Sequence, residues 1–191
     1  MSTYQPEILQ VEQHDKAQLR DLSNQDARTE VARLLGSLAQ QVLTPGQPIR
    51  EQQKGDNRML LLAGSYGGCQ LKLNDTLIQA MPGASITGNI SADSGRITIQ
   101  GVRITGQVLV GNNAVVQFID CTFAPSLIQT GDLIAVAAGG KVSCLGCWFL
   151  PGDKVTNRVD NAGAGTAVQL VGCVNLLGKP DVNATITGDL T

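Results

Sequence analysis

The residues with the most chemical potential in this 191-residue sequence are its five cysteines, two of which form a Cys144-Leu145-Gly146-Cys147 motif. A C-x-x-C pair is typical of a zinc half-site or of a thioredoxin-like redox motif. A redox pair needs a helix N-terminus to lower the pKa of one thiol, and the pattern here predicts strands. Cys121, Cys147 and Cys173 share one position of a repeated segment, so we interpret these thiols as small buried apolar groups.

Few residues of the chain are candidates for acid–base or nucleophilic catalysis. His14 is the only histidine and lies in a polar N-terminal stretch, so the rest of the chain cannot form a Ser-His-Asp, Cys-His or multi-histidine metal site. After Glu51 every side-chain carboxylate belongs to an aspartate, and Asp132, Asp153 and Asp160 lie in predicted loops. Paired acids along a groove would indicate glycan cleavage. We expect no enzyme activity, no metal and no cofactor.

The cysteines are positioned by a segment that recurs at 97–104, 116–123, 142–149 and 168–173. Cys121, Cys147 and Cys173 are spaced by 26 residues, and Val102 precedes Cys121 by 19. Each copy alternates apolar and polar residues, bends at a Gly or Asp, and alternates again, as strand, corner and strand do. Repeats of about 20 to 50 residues indicate a solenoid, and a parallel β-helix fits this composition.

Alignment of the copies predicts two columns of inward-facing side chains, here called the core ladder. One column contains Val102, Cys121, Cys147 and Cys173, and the other contains Ile99, Phe118, Cys144 and Leu170. Neighbouring coils of a β-helix lie about 4.8 Å apart, a separation that a disulfide tolerates. Disulfide formation between ladder cysteines is therefore an alternative in an oxidising setting. Trp148 alternates with the inward positions and is predicted to face outward as a surface anchor for a partner protein.

Residues 1–58 are predicted to form an attachment region ahead of the β-helix domain at 59–191. Residues 1–15 form a polar arm, and residues 16–43 carry an apolar stripe at helical spacing. The stripe consists of Leu19, Leu22, Ala27, Val31, Leu34, Leu38 and Val42. Two uses of it are open, because it could pack on the base of the β-helix or form a bundle with sister chains. Residues 44–58 are rich in Pro, Gln and charged residues and are predicted to be an extended linker.

The charge and hydropathy of the chain bear on its partners. The net charge of −2 provides no basic surface for nucleic acid. No apolar run approaches the about 18 residues of a membrane span. The first 22 residues lack the apolar segment of a secretory signal. We therefore expect no nucleic acid and no membrane among the partners, and folding in the cytoplasm.

The repeated V-x-Φ-x-G/D-C-x-F segment, from about residue 59 onward, resembles single-coil right-handed parallel β-helix proteins of the pectate-lyase-like fold. With its N-terminal helix, Pro/Gln-rich linker and no catalytic set, the chain also resembles accessory structural proteins of tailed bacteriophages. Among these are capsid decoration (cement) proteins and head or tail fibres. No catalytic residue of the lyase family is matched.

This resemblance implies a structural virion protein, located in the virion after assembly in the host cytoplasm. Such proteins form homotrimers that bind the major capsid protein or another virion protein through their N-terminal segments. The alternatives are a glycan-binding or glycan-cleaving tail spike and a cytosolic scaffold unrelated to viruses.

Overall fold

The computed structural model describes residues 41–52, 57–161, 165–182 and 184–189. These residues form an all-β fold without a helix, and their strands pair in parallel. The strands are β1 (Gln41–Leu43), β2 (Asn57–Leu61), β3 (Gly64–Tyr66), β4 (Cys69–Leu71), β5 (Thr76–Ala80), β6 (Ala84–Ile86), β7 (Ile90–Gln100), β8 (Arg103–Ile104), β9 (Val108–Ile119), β10 (Thr122–Phe123), β11 (Ile134–Val136), β12 (Lys141–Leu145), β13 (Trp148–Phe149), β14 (Val159–Asn161), β15 (Ala167–Val171), β16 (Val174–Asn175) and β17 (Thr185–Thr187). No helix in this part of the chain is long and apolar enough to cross a membrane.

The chain passes repeatedly through three sides of a stack, and each circuit is called a coil. The first side consists of β1, β2, β5, the second halves of β7 and β9, then β12, β15 and β17. The second side is the six-stranded sheet of β3, β6, β8, β10, β13 and β16. The third side consists of β4, the first halves of β7 and β9, then β11 and β14. Paired residues lie between 16 positions apart, as in Leu170↔Ile186, and 26 positions apart, as in Phe118↔Cys144.

Strand alternation explains why these segments stack. In β12, Val142 and Cys144 are buried, whereas Lys141 and Ser143 face outward. A single strand with one apolar face cannot bury that face by itself, but stacked copies enclose it between the three sides. The enclosed side chains form one continuous core from Leu43 to Leu177.

The stack begins earlier in the chain than the predicted boundary at residue 59. Val42, predicted as the last residue of the helical stripe, lies in β1 and pairs with Leu60 of β2. Ile49, predicted to lie in an extended linker, is buried in the core. Burial of Leu43 and Ile49 on the first coil favours this arrangement, and three residues at the end of a stripe do not distinguish helix from strand.

The rest of the predicted attachment stripe, from Leu19 to Leu38, lies outside the described residues. The same holds for the predicted arm and for the predicted helix as far as residue 40.

Candidate interaction surface

A recurring corner joins the first and second sides of the stack. Gly101, Asp120, Gly146 and Gly172 occupy it with φ between 51° and 70°, the left-handed region that glycine enters freely and aspartate tolerates. The amide of each corner residue donates to a carbonyl of the next coil, as from Asp120 to Leu145 at 2.9 Å. One left-handed residue therefore turns the chain and keeps the coils in register.

Behind this corner lie the core-ladder residues. Ile99, Phe118, Cys144 and Leu170 pair in register on the first side. The structure places Val102, Cys121, Cys147 and Cys173 on the second-side flank of the corner, with 0 or 1% of each exposed. Backbone bonds link successive members of this column, for example from Trp148 N to Cys121 O at 2.9 Å. The ladder is thus a structural interior in which two columns meet behind the bend.

The thiols of the ladder are free and fully buried. The Cys121 Sγ donates to the Ile99 carbonyl at 3.3 Å, and the Cys173 Sγ donates to the Cys144 carbonyl at 3.4 Å. Contact with the thiols of Cys121, Cys144 and Cys173, together with burial, raises the pKa of Cys147. The Cys144 and Cys147 side chains thus belong to the buried core of the stack.

A fifth thiol, that of Cys69 on the third side, is expected to make the free energy of unfolding decrease at alkaline pH. Burial, and then the charge of Glu51, raises the pKa of Cys69 to about 12. In the unfolded chain the thiol ionises from about pH 8.5. Its contribution to stability is therefore complete below about pH 8.5 and is lost as the pH rises towards 12.

We expect the free energy of unfolding to fall across that range by up to about 1.4 kcal/mol per pH unit from this thiol. Cys69→Ala should remove this part of the pH dependence of the unfolding free energy, as measured by urea unfolding at a series of pH values. Comparison with the wild type cancels the titration of tyrosines and lysines. Identical slopes in the two proteins would contradict the assignment.

Outside the corner, apolar side chains form a surface that we call the corner patch. On the second side Trp148 is 49% exposed and stands in register between Thr122 and Val174. The patch consists of Ile119, Leu145, Trp148, Val171, Val174 and Leu176. Ile119, Leu145 and Val171 pair with one another on the first-side flank of the corner. A half-exposed Trp with Val174 in register beside it on a hydrogen-bonded sheet has the composition of a protein-binding surface.

Comparison of the chain with protein-family models, with curated proteins and with solved structures finds no match. The geometry of the described residues therefore carries the functional argument. Within those residues no group of three or more His, Cys, Asp or Glu could hold a metal ion.

A shallow groove of about 310 Å³ lies on the outer surface of the third side. Ser91, Leu109, Ala135 and Asp160 follow one another across four paired strands and line it. Asp93 also lines the groove, and its carboxylate accepts bonds from Ser91 Oγ at 2.7 Å and Gln70 Nε2 at 2.5 Å. The hydroxyl of Ser91 lowers the pKa of Asp93 most, so this carboxyl is ionised. The groove thus has an apolar floor between acidic ends.

The aspartates of predicted loops lie in different surroundings. Asp160 lines the groove, whereas Asp132 accepts a 2.7 Å bond from Asn157 Nδ2 and Asp153 is exposed. Asp120 occupies the left-handed corner. Of the three loop aspartates, Asp160 is the one that lines this groove.

Sequence reasoning missed a buried ionic cluster near the end of the stack. Arg158 is 1% exposed, and its guanidinium binds Asp181 through Nε at 2.8 Å and through Nη2, and approaches Asp189 at 2.7 Å. The same guanidinium lies 5.0 Å from the centre of the Phe149 ring. The separation of 23 residues between Arg158 and Asp181 is close to one coil, and this spacing was the available signal.

Proposed function

We propose that this chain is a structural virion protein, a capsid decoration (cement) protein or a fibre protein. In this proposal the stack is a right-handed parallel β-helix that projects as a rigid knob. Three copies assemble around one axis. The N-terminal segment attaches the assembly to the major capsid protein or to another structural protein of the particle.

The right-handed form of the β-helix is supported by the general handedness of parallel crossovers. Consecutive parallel strands of one sheet are connected in the right-handed sense in about 98% of cases, because the strand twist favours it. Every coil here returns to the first side beside the preceding one. Each return is therefore a crossover to which this preference applies.

The observation that carries the proposal is the corner patch on a rigid stack. Trp148 protrudes from a sheet whose strands pair on both flanks, so binding would order little of the backbone. Aromatic anchors in such a setting dominate binding energy at protein interfaces. We assign the patch to contact with a neighbouring protein of the particle, in addition to attachment through the N-terminal segment.

The test uses particles of the virus whose genome encodes this chain, stripped of the protein and titrated with purified variants. Deletion of residues 1–38 retains β1 and should leave the stack folded but unable to join the particle. Trp148→Ala should weaken binding by about 10- to 30-fold, the loss of a typical hot spot. The matched control is Val115→Ala, since Val115 is 41% exposed on the first side and does not belong to the patch. Full incorporation of both the truncated form and Trp148→Ala would refute the proposal.

One observation favours the alternative of a glycan-binding or glycan-cleaving spike, namely the groove with Asp93 and Asp160. Acidic groups flanking a groove are typical of proteins that act on polysaccharides. Incubation with bacterial surface polysaccharide distinguishes the two functions. The spike would be favoured if the wild type shortens the glycan chains and the Asp160→Asn variant leaves them at full length.

A further inference from the structure

Two cysteines of the core ladder, Cys147 and Cys173, stand opposite each other in neighbouring coils. Before the corner, β12 and β15 pair in register as far as Leu145 and Val171. After the corner, β13 and β16 pair in register again, and the Val174 amide donates to the Cys147 carbonyl at 2.8 Å. Neighbouring strands lie about 4.8 Å apart, within the Cα separation of about 4.4–6.8 Å that disulfides show. The backbone therefore places these two residues for a covalent link between coils.

The two thiols are free and in contact with each other. A hydrogen bond between them lowers the pKa of Cys173, and this effect outweighs the opposing effect of burial. The thiolate is the form of cysteine that attacks an oxidant, and a second thiol beside it can resolve the oxidised product. Cys173 is therefore the attacking thiol of the pair, and Cys147 is the resolving thiol.

Cys173 is the ladder thiol nearest to the last described coil. Its column continues with the inward-facing carboxylate of Asp189, because Gly188 repeats the left-handed corner with φ of 62°. Ile186 of the same coil is 47% exposed, although Leu170, with which it pairs, is fully buried. Among the described residues, the coil that covers Cys173 is thus itself only partly covered. Local opening of this coil would admit a small polar oxidant to Cys173 before the deeper thiols.

We propose that Cys147 and Cys173 are a modification site at which a peroxide forms a reversible disulfide between neighbouring coils. The Cys173 sulfur attacks hydrogen peroxide and the O–O bond breaks, which gives a sulfenic acid at Cys173 and one water. The Cys147 sulfur then bonds to the Cys173 sulfur, and its proton leaves with the sulfenic hydroxyl as a second water. Each thiol loses one electron, and the peroxide is reduced to water. A dithiol reductant reverses the reaction by thiol–disulfide exchange.

The disulfide would fasten two coils of the stack to each other. It joins residues 26 positions apart and so restricts the unfolded chain, which stabilises the folded one. The oxidised protein should therefore unfold at a higher urea concentration than the reduced protein. An equal or lower midpoint would overturn this role of the link.

The experiment treats the folded full-length chain with hydrogen peroxide, then unfolds it and alkylates the remaining thiols with iodoacetamide. The untreated protein should carry five alkyl groups, one for each cysteine, and the treated protein should carry two fewer. Trypsin cleavage after Lys141, Lys154 and Arg158 separates Cys147, in peptide 142–154, from Cys173, in peptide 159–191. The expected product is a link between these two peptides that dithiothreitol breaks.

Variants assign the link to individual thiols. Cys147→Ala and Cys173→Ala should each lose it, whereas Cys144→Ala should retain it and is the matched control, because Cys144 shares a tryptic peptide with Cys147. Circular dichroism checks folding, and the wild-type peptide map decides the question where a variant does not fold.

Four results would overturn the proposal. They are unchanged alkylation after peroxide, a link to peptide 104–141, which contains Cys121, a link within peptide 142–154, and a link that persists in Cys147→Ala.

Discussion

Replacement of Arg158 by Met should destabilise the stack by about 3–5 kcal/mol, the usual result of leaving buried charges without their partner. Met keeps much of the side-chain volume but removes the cation. Asp181 and Asp189, with side chains 7% and 9% exposed, would then face each other's charge without compensation. Burial by itself lowers the pKa of Arg158, and the bonds to Asp181 and Asp189 more than offset it, so the native guanidinium is charged.

Urea unfolding measures this effect through the midpoint and the slope. The matched control is Arg103→Met, because Arg103 is exposed on the second side and should change stability by less than about 0.5 kcal/mol. Adding Asp181→Asn and Asp189→Asn to Arg158→Met should recover part of the loss by removing the unpaired charges. A change of less than about 1 kcal/mol in Arg158→Met would show that the cluster is not buried as described.

Phe123→Ala should also cost about 3–5 kcal/mol, because it opens a cavity in the centre of the stack. The Phe123 ring lies 4.7 Å from that of Phe149 in a stacked arrangement and 5.2 Å from that of Phe118 in an edge arrangement. All three side chains are fully buried. Their backbones belong to coils held by backbone hydrogen bonds, so the site cannot collapse easily around the void.

Phe123→Leu retains most of the buried volume and should lose clearly less stability than Phe123→Ala. The same unfolding measurement on Val115→Ala provides the exposed comparison, because Val115 is 41% exposed, and a change below about 0.5 kcal/mol is expected. Equal losses for Phe123→Ala and Phe123→Leu would mean that ring contacts, rather than the filled volume, stabilise this region.

The all-β class and the parallel sheets follow from features that a sequence displays directly. Alternation within each copy and a Gly or Asp at one fixed position are local signals, and Asp120 shares its backbone conformation with three glycines. Local signals also mislead. The tripeptide Ile-Thr-Gly occurs at 86–88, 104–106 and 186–188, yet Ile86 and Ile104 lie in strands of the second side, whereas Ile186 lies in β17 of the first side.

The remaining features depend on contacts between distant residues. Val42 fits a helical spacing, yet it lies in a strand because β2 offers an edge to pair with. Arg158 stands in a predicted loop insertion, where charge usually indicates solvent, and only the fold brings two aspartates to it. Leu127 and Ile128 are apolar residues of the kind that usually lie in a core, and only the structure shows that they are 89% and 82% exposed.

The uneven length of the coils has a practical consequence for engineering. The longer coils carry their additional residues after the second side, between β10 and β11 and between β13 and β14, while the paired strands beyond them keep their register. A foreign epitope inserted next to the exposed Asp153 would be carried by the stack without disturbing the backbone hydrogen bonds between coils. The coil chosen for the insertion would set the position of the epitope along the stack, in steps of about 4.8 Å.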